Sequence, residues 1–180
     1  MLGLDRNTVM LIPYSSEWPK LFQKEKQCLQ RLLGPYIWNV EHIGSTAIPG
    51  IVAKPIIDIL ALLHCISDLE RCVPLLEDSG YTYEGEQEIP GWYFFCKGQG
   101  SNTTHHLHIF SRDNVNWHKY LLFRDYLCAH STVATAYVAL KRRLAQQYGD
   151  DRPAYTAGKA AFIQSVIELA REDQLSSIKF

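Results

Sequence analysis

The chain has 180 residues, of which 47% are hydrophobic and 21% charged, and its 18 basic and 19 acidic side chains give a net charge of -1. This composition is typical of one globular domain with a full core, so a disordered chain is excluded. A nearly neutral chain has no broad electrostatic attraction for polyanions, so we expect neither an extended nucleic-acid surface nor a site on anionic membranes.

The first half of the chain predicts one helix and two strands around a loop of small residues. Residues 8–14 are a short apolar segment, either an edge strand or an extended arm. Ser16 is suited to cap a helix that runs to about Leu33 and ends at a Gly-Pro pair. Segment 36–43 predicts a central strand. Segment 55–63 predicts a second one, because its near-continuous aliphatic run is typical of a strand covered on both faces.

The second half changes from strands to helices. A capping-box spacing predicts a helix over residues 67–79. Short aromatic and β-branched runs predict antiparallel strands over residues 81–85, 92–97 and 104–110. Helices are predicted over residues 117–130, 132–148 and 153–171, with a frayed end at 173–180. The expected fold is therefore α+β, a mixed β-sheet flanked by helices with a helical C-terminal half, in a single domain over residues 1–180.

Cysteine usage and the amino terminus indicate the compartment. The five cysteines form no Cys-x-x-Cys pair, and their odd number does not fit a disulfide framework. The amino terminus lacks a basic segment followed by a long apolar core, and no run reaches the roughly 18 apolar residues that span a bilayer. We expect a cytoplasmic protein with reduced thiols.

Asp58 is an unusual charge within the aliphatic run of the second predicted strand. An ionised carboxylate there is costly unless it is paired, hydrogen-bonded or bound to a cation. It is either a structural residue that accepts hydrogen bonds from loop amides or a metal or substrate ligand at a cleft. The preceding Gly44-Ser45 pair favours a site, because glycine allows close backbone approach and serine offers a hydroxyl and an amide to phosphate oxygens.

Several histidines lie near Asp58 in the predicted fold. His106 and His108 share one face of their strand, whereas His105 points to the other face. Two imidazoles beside a carboxylate suit a divalent metal or a phosphate, and they are also compatible with core histidines bonded to backbone carbonyls. His42, just before the Gly-Ser pair, is either a partner of the substrate or of Asp58, or a packed residue at a strand end.

Lys54, Arg124 and Lys159 are candidates to neutralise phosphate. Arg124 has aromatic and apolar neighbours that suit a partly buried, bidentate guanidinium, and a structural pair with Asp125 or another acid is the alternative. Lys159 follows small residues that let other groups approach, and an exposed helix lysine is its alternative. The basic run at residues 141–143 predicts a solvated helix face.

Four segments of the chain together resemble the GrpB-like family, a group of small proteins with the nucleotidyltransferase fold. They are HIGSTAIPGIVAKPIIDIL, THHLHIF, FRDYL and DDRPAYTAGKAAFI. The resemblance extends from about Val9 to Ala170. It implies a nucleotidyltransferase-like fold and a nucleotide-related site.

The resemblance also implies a ligand set, which this chain matches in part. Nucleotidyltransferases have a Gly-Ser turn, a strand with carboxylates at i and i+2, and a third carboxylate on a later strand. The three carboxylates together hold two divalent cations. Here the Gly-Ser pair and Asp58 match, but Ile56 and Leu60 are apolar. His106 and His108 stand where the third carboxylate is expected. One Asp and two imidazoles suit one Mn²⁺ or Zn²⁺ better than two Mg²⁺ ions.

Three functions remain open from the sequence. The first is a metal-dependent nucleotidyltransferase with Asp58, His106 and His108 as catalytic metal ligands. The second is a non-catalytic protein that binds a nucleotide or a phosphorylated small molecule in the same cleft. Under both, the phosphate-binding residues would be His42, Gly44, Ser45, Lys54, Arg124 and Lys159.

The third function is an accessory or interaction protein. Relatives of this domain are fused to dephospho-CoA kinase, which implies a link to CoA metabolism, although this chain lacks the Gly-x-x-x-x-Gly-Lys-Ser/Thr loop of such kinases. The resemblance also implies basic residues near positions 92 and 103, where this chain has Trp92 and Thr103.

Overall fold

In the computed structural model, which describes residues 2–177, one sheet lies between two groups of helices. The strands are β1 (Leu4–Asp5), β2 (Ile37–Ile43), β3 (Ile57–Leu63), β4 (Tyr81–Glu86), β5 (Tyr93–Gln99) and β6 (Asn102–Ser111). The α-helices are α1 (Glu17–Leu33), α2 (Leu69–Asp78), α3 (His118–Ala129), α4 (Ser131–Gln147), α5 (Arg152–Ala157) and α6 (Ala160–Ser177). The predicted α+β fold with a helical C-terminal half is confirmed.

The sheet is mixed, as predicted. Its strand order is β2-β3-β6-β5-β4, and the short β1 pairs with the start of β6. β3 and β6 are parallel, whereas the other neighbours along this order are antiparallel. The parallel pair at the centre is the reason why polar residues of β3 and β6 meet on one face.

β3 is the most buried strand, which explains its aliphatic sequence. Apart from Asp58, none of its residues is more than 1% exposed. Its odd-numbered side chains pack with α1 and α2 on one face of the sheet. Leu60 and Leu62 point to the opposite face, where they pack with Trp117 at the start of the helical half. Asp58 shares that second face, beneath the C-terminal helices.

The N-terminal segments match the prediction in part. Residues 8–14 form the extended arm that was one of the two predicted alternatives, with one isolated bridge between Ile12 and Ala53, whereas β1 was not predicted. Helix α1 begins where expected, but the Ser16 side chain makes no capping hydrogen bond. The hydroxyl of Ser15 accepts one from the amide of Glu17 instead, at 3.3 Å.

The C-terminal helical segment is interrupted, whereas one helix was predicted. α5 ends at Ala157 and α6 begins at Ala160, so Gly158 and Lys159 lie in a break between them. Fraying from residue 173 was wrong as far as the structure describes the chain, since α6 continues to Ser177. Residues 178–180 lie outside the described range.

A second polar cluster lies on the α1 face of the sheet. The Glu25 carboxylate accepts hydrogen bonds from Lys97 Nζ at 2.7 Å and from the Tyr81 hydroxyl at 2.9 Å. His105 is buried near this cluster, on the face opposite His106, as the strand alternation predicted. Glu25 is a residue of α1, and its pairing with the positive charge of Lys97 compensates for burying it between this helix and the sheet.

The described residues contain no helix with both the length and the apolar character needed to cross a bilayer. All five cysteines are unpaired, at positions that range from buried to exposed.

The buried histidines make stability depend on pH. Burial lowers the pKa of His42 and of His105 from 6.5 to about 4. Between these values the unfolded chain binds protons that the folded chain does not. The free energy of unfolding should therefore fall as the pH drops from about 6.5 to about 4. Urea denaturation of the wild type and of His105→Gln tests this, and an equal pH dependence in both would contradict it.

Candidate functional site

A cavity of about 980 Å³ lies between the sheet and the C-terminal helices. Side chains of β3, β5 and β6 form its floor, and the loop after β2 together with α3 to α6 forms its walls. This volume is at the upper end of the range of small-molecule sites, and a nucleotide-sized ligand fits within it.

Hydrogen bonds link three polar side chains on the floor of the cavity. Asp58 and His106 are register partners on β3 and β6, and Asp58 Oδ1 lies 2.8 Å from His106 Nδ1. The other ring nitrogen, Nε2, lies 2.8 Å from a guanidinium nitrogen of Arg152. Because a guanidinium only donates, Nε2 must accept, and the ring proton sits on Nδ1 and is donated to Asp58. Arg152 also donates to the Arg6 carbonyl at 3.1 Å.

This arrangement sets the charges on the floor. Burial opposes ionisation of Asp58, but the hydrogen bond from His106 and the positive charge of Lys54 hold its pKa well below the usual range. Burial lowers the pKa of His106 despite the favourable Asp58 charge. At neutral pH the floor therefore holds an ionised carboxylate, a neutral imidazole and a guanidinium.

His108 belongs to an aromatic wall of the cavity, beside the hydrogen-bonded residues Asp58, His106 and Arg152. Its Nδ1 accepts a hydrogen bond from Trp92 Nε1 at 3.1 Å, and the two rings are stacked with centroids 5.6 Å apart. Burial lowers the pKa of His108 to about 4, so the ring is neutral. Phe94 and Tyr120 complete this wall of the cavity. Trp92, where a basic residue was expected, thus supplies apolar surface.

Gly44 brings the loop after β2 against the carboxylate of Asp58. Its φ is +68°, and a Cβ atom at this position would lie 2.3 Å from Asp58 Oδ2. Glycine is therefore needed both for its backbone conformation and for the space it leaves. The predicted Gly-Ser turn is present, with a short 3₁₀ turn over Ser45–Ala47.

Lys141 is hydrogen-bonded to this turn and to the loop that follows it. Its ammonium group donates to Ser45 Oγ at 3.1 Å and to the Val52 carbonyl, and its side chain is only 1% exposed. The predicted solvated face was wrong for Lys141, although its neighbours Arg142 and Arg143 are exposed. The missed signal was the spacing of the buried stripe of α4, which consists of Ala134, Tyr137, Lys141 and Leu144.

Lys54 and Lys159 both line the cavity, with their ammonium groups over the same aromatic ring. Their Nζ atoms are 5.6 and 4.5 Å from the centroid of Tyr155. Burial lowers the pKa of Lys54 to about 7 and that of Lys159 to about 8, and the nearby charge of Arg152 contributes to both. Neither ammonium group has an ion pair or a hydrogen bond with any described residue.

Arg124 and His42 are not brought to the cavity. Arg124 donates to Glu41 and to the His42 carbonyl at 2.9 and 2.8 Å, and to Asp125 at 2.7 Å, so the alternative structural role is the observed one. The His42 ring stacks on Phe22 and bonds to the Thr46 hydroxyl at 3.0 Å. The two residues fix the end of β2, next to the Gly-Ser turn.

The other predicted site residues do line the cavity. They are Gly44, Ser45, Lys54, Asp58, His106, His108 and Lys159. Arg152 was not predicted to belong to the site. It occupies the first turn of α5, after the Asp151 cap, where the helix dipole disfavours a positive charge. An arginine at this unfavourable position could have indicated that Arg152 has a partner elsewhere in the fold.

The predicted metal site does not fit these donors. Both ring nitrogens of His106 are engaged, by Asp58 and by Arg152, and Nδ1 of His108 accepts from Trp92. Within residues 2–177, no group of three His, Cys, Asp or Glu side chains is arranged to hold a metal ion. The site surrounds one carboxylate with cations, which is unfavourable for a divalent metal.

Comparisons of sequence find relatives of this chain among bacterial proteins. A sequence model described as GrpB protein matches residues 8–169. UPF0157 protein YqkA of Bacillus subtilis is 39% identical over 166 residues, which cover 92% of this chain and 48% of that protein. Glutamate-rich protein GrpB of Alkalihalophilus pseudofirmus is 36% identical, over 93% of this chain and 98% of that protein. The chain thus spans about half of the first relative and nearly all of the second.

A more distant relative carries an enzyme name. A protein named dephospho-CoA kinase from Mycolicibacterium paratuberculosis is 26% identical, over 92% of this chain and 46% of that protein.

Solved structures show the same fold. The crystal structure of the conserved protein GrpB from Enterococcus faecalis aligns with a TM-score of 0.86 at 35% identity, over 92% of this chain and 99% of that one. The Cid1 poly(U) polymerase bound to Mg 3′-dATP aligns with a TM-score of 0.52 at 15% identity, over 75% of this chain and 43% of Cid1. The likeness to Cid1 confirms the nucleotidyltransferase-like fold.

The contact between Gly44 and Asp58 can be tested against a matched glycine. Gly44→Ala and Gly50→Ala both place a side chain at positive φ, but only Gly44 would bring its Cβ onto another residue. We expect Gly50→Ala to cost about 1–2 kcal/mol of unfolding free energy and Gly44→Ala clearly more. Urea denaturation of both variants measures the difference, and equal costs would show that the loop tolerates a methyl group at Asp58.

Proposed function

The chain is a member of the GrpB family, and on this premise we propose that its cavity binds a phosphorylated small molecule, with nucleotides as the favoured class. One observation carries the proposal. Lys54, Lys159 and Arg152 converge on one cavity, and the ammonium groups of the two lysines have no hydrogen bond or ion pair with any described residue.

The charge of the cavity favours an anion. Its basic lining residues are Arg6, Lys54, Lys119, Lys141, Arg152 and Lys159, and its carboxylates are Asp58 and Glu84. Glu84 is paired with Arg6 at 2.8 Å, so Asp58 is left among the remaining cations. Partly buried cations that repel one another gain most from an anion that removes this repulsion.

The aromatic wall supports a ligand with an organic part. Trp92, Phe94 and Tyr120 present rings on the same cavity, at the side of His108. A planar base gains from stacking on such rings, while the phosphate is held by the cations. This combination favours a nucleotide over a bare inorganic anion.

The proposal does not extend to nucleotidyl transfer. Asp58 is the sole carboxylate of β3, and β6 has none, so the carboxylate set that holds two cations in such enzymes is absent from these strands. The match to a protein named dephospho-CoA kinase adds CoA and dephospho-CoA as candidate ligands, because both combine phosphates with an adenine base.

Thermal shift with a ligand panel tests the proposal. A ligand that binds the folded chain raises its melting temperature, so we expect at least one of AMP, ATP, UTP, CoA and dephospho-CoA to do so. Lys159→Met should weaken that binding about tenfold, since it removes one charged contact. The control is Lys24→Met, an exposed lysine of α1 on the other face of the sheet, which should bind like the wild type.

The lysines also predict how binding depends on pH. With a pKa of about 7 for Lys54 and about 8 for Lys159, the free protein loses these charges between pH 7 and 9. A bound phosphate favours the charged lysines, so affinity should fall as the pH rises and binding should take up protons. Calorimetry in two buffers of different ionisation enthalpy measures this uptake. A pH-independent affinity would show that neither lysine contacts the ligand.

A further inference from the structure

We propose that the cavity binds a metal-free phosphate group, as in a phosphomonoester, with Lys54, Lys159 and Arg152 in place of divalent cations. Asp58 is then a counter-ion of these residues and not a metal ligand. The inference rests on the proposed function and specifies the chemistry of its ligand.

Each oxygen of Asp58 has a close protein neighbour. Oδ1 accepts the hydrogen bond of His106 at 2.8 Å. Oδ2 lies beneath the Gly44 backbone, so close that a Cβ atom there would be 2.3 Å away. A metal that took the place of the imidazole on Oδ1 would have to break the hydrogen bond to His106.

The imidazoles are also committed. Arg152 places a permanent cation at 2.8 Å from His106 Nε2, the atom through which that ring would bind a metal. His108 accepts from Trp92 through Nδ1, which turns its remaining nitrogen into a donor when the ring is neutral. Neither ring offers a lone pair toward Asp58.

The cations are placed for a phosphate. Lys54 and Lys159 both lie over the Tyr155 ring, and both ammonium groups keep all their donors available. Arg152 uses two of its five N–H groups, on His106 and on the Arg6 carbonyl, so three remain. A phosphomonoester carries close to two negative charges at pH 7, which suits such a set better than a metal-bound triphosphate does.

Metal dependence and Asp58→Asn together decide between this account and a metal site. Inorganic phosphate and AMP are titrated against the full chain at constant ionic strength, once with EDTA and once with Mg²⁺ or Mn²⁺, and the melting temperature is followed. We expect binding in EDTA that the metals do not strengthen. Asp58→Asn keeps an acceptor for His106 but removes a negative charge, so it should bind phosphate about threefold or more tightly.

Lys159→Gln should weaken the same binding. Because the Lys159 side chain has no hydrogen bond to lose, this variant keeps the test valid if Asp58→Asn does not fold. Binding that requires Mg²⁺ or Mn²⁺, or that is lost in a folded Asp58→Asn, would overturn the metal-free site and leave the proposed function standing. If neither probe binds and no nucleotide or CoA compound binds with or without metal, both are wrong.

Discussion

The structure depends on how one carboxylate is accommodated inside a strand that is covered on both faces. Asp58 has neighbours that are at most 2% exposed on either side along the chain. Its charge is retained because His106 donates to it across the parallel β3–β6 pair and Arg152 supports His106 from α5. Parallel register is what makes this possible, since it places Asp58 and His106 directly opposite each other.

The sheet supplies the carboxylate of the site, and the C-terminal half of the chain supplies most of its basic side chains. Arg152 starts the short helix α5, and Lys159 lies in the break between α5 and α6. Both side chains line the same cavity. Lys141 reaches from α4 to the Gly-Ser turn and ties the helical half to the loop after β2. The resulting site combines the Gly-Ser turn with a group of basic side chains.

Sequence patterns predicted the sheet well because β-strands with one or two buried faces have local signatures. The aliphatic run of β3 identified both the strand and Asp58 as an exception within it. The site was predicted in part, since Gly44, Ser45 and the same-face histidines follow from turn chemistry and alternation. These features depend on neighbours in the sequence.

The residues that were missed depend on contacts between distant segments. Arg152 acts through His106 and Arg6, which are 46 and 146 residues away. Lys141 is buried because α4 turns that stripe toward the Gly-Ser loop, and a basic run alone does not reveal which of its members is buried. Arg124 was predicted to line the site because its acid partner Glu41, on a distant strand, is not evident from the sequence.

The most direct test of the central claim is a crystal structure of the protein grown without divalent metals and soaked with AMP in EDTA. Our account predicts phosphate density in contact with Lys54, Lys159 and Arg152, with the hydrogen bond between Asp58 and His106 intact. A phosphate bound elsewhere on the chain would contradict it. So would a phosphate that appears in this cavity only after Mg²⁺ or Mn²⁺ is added and is then bridged to Asp58 by the metal.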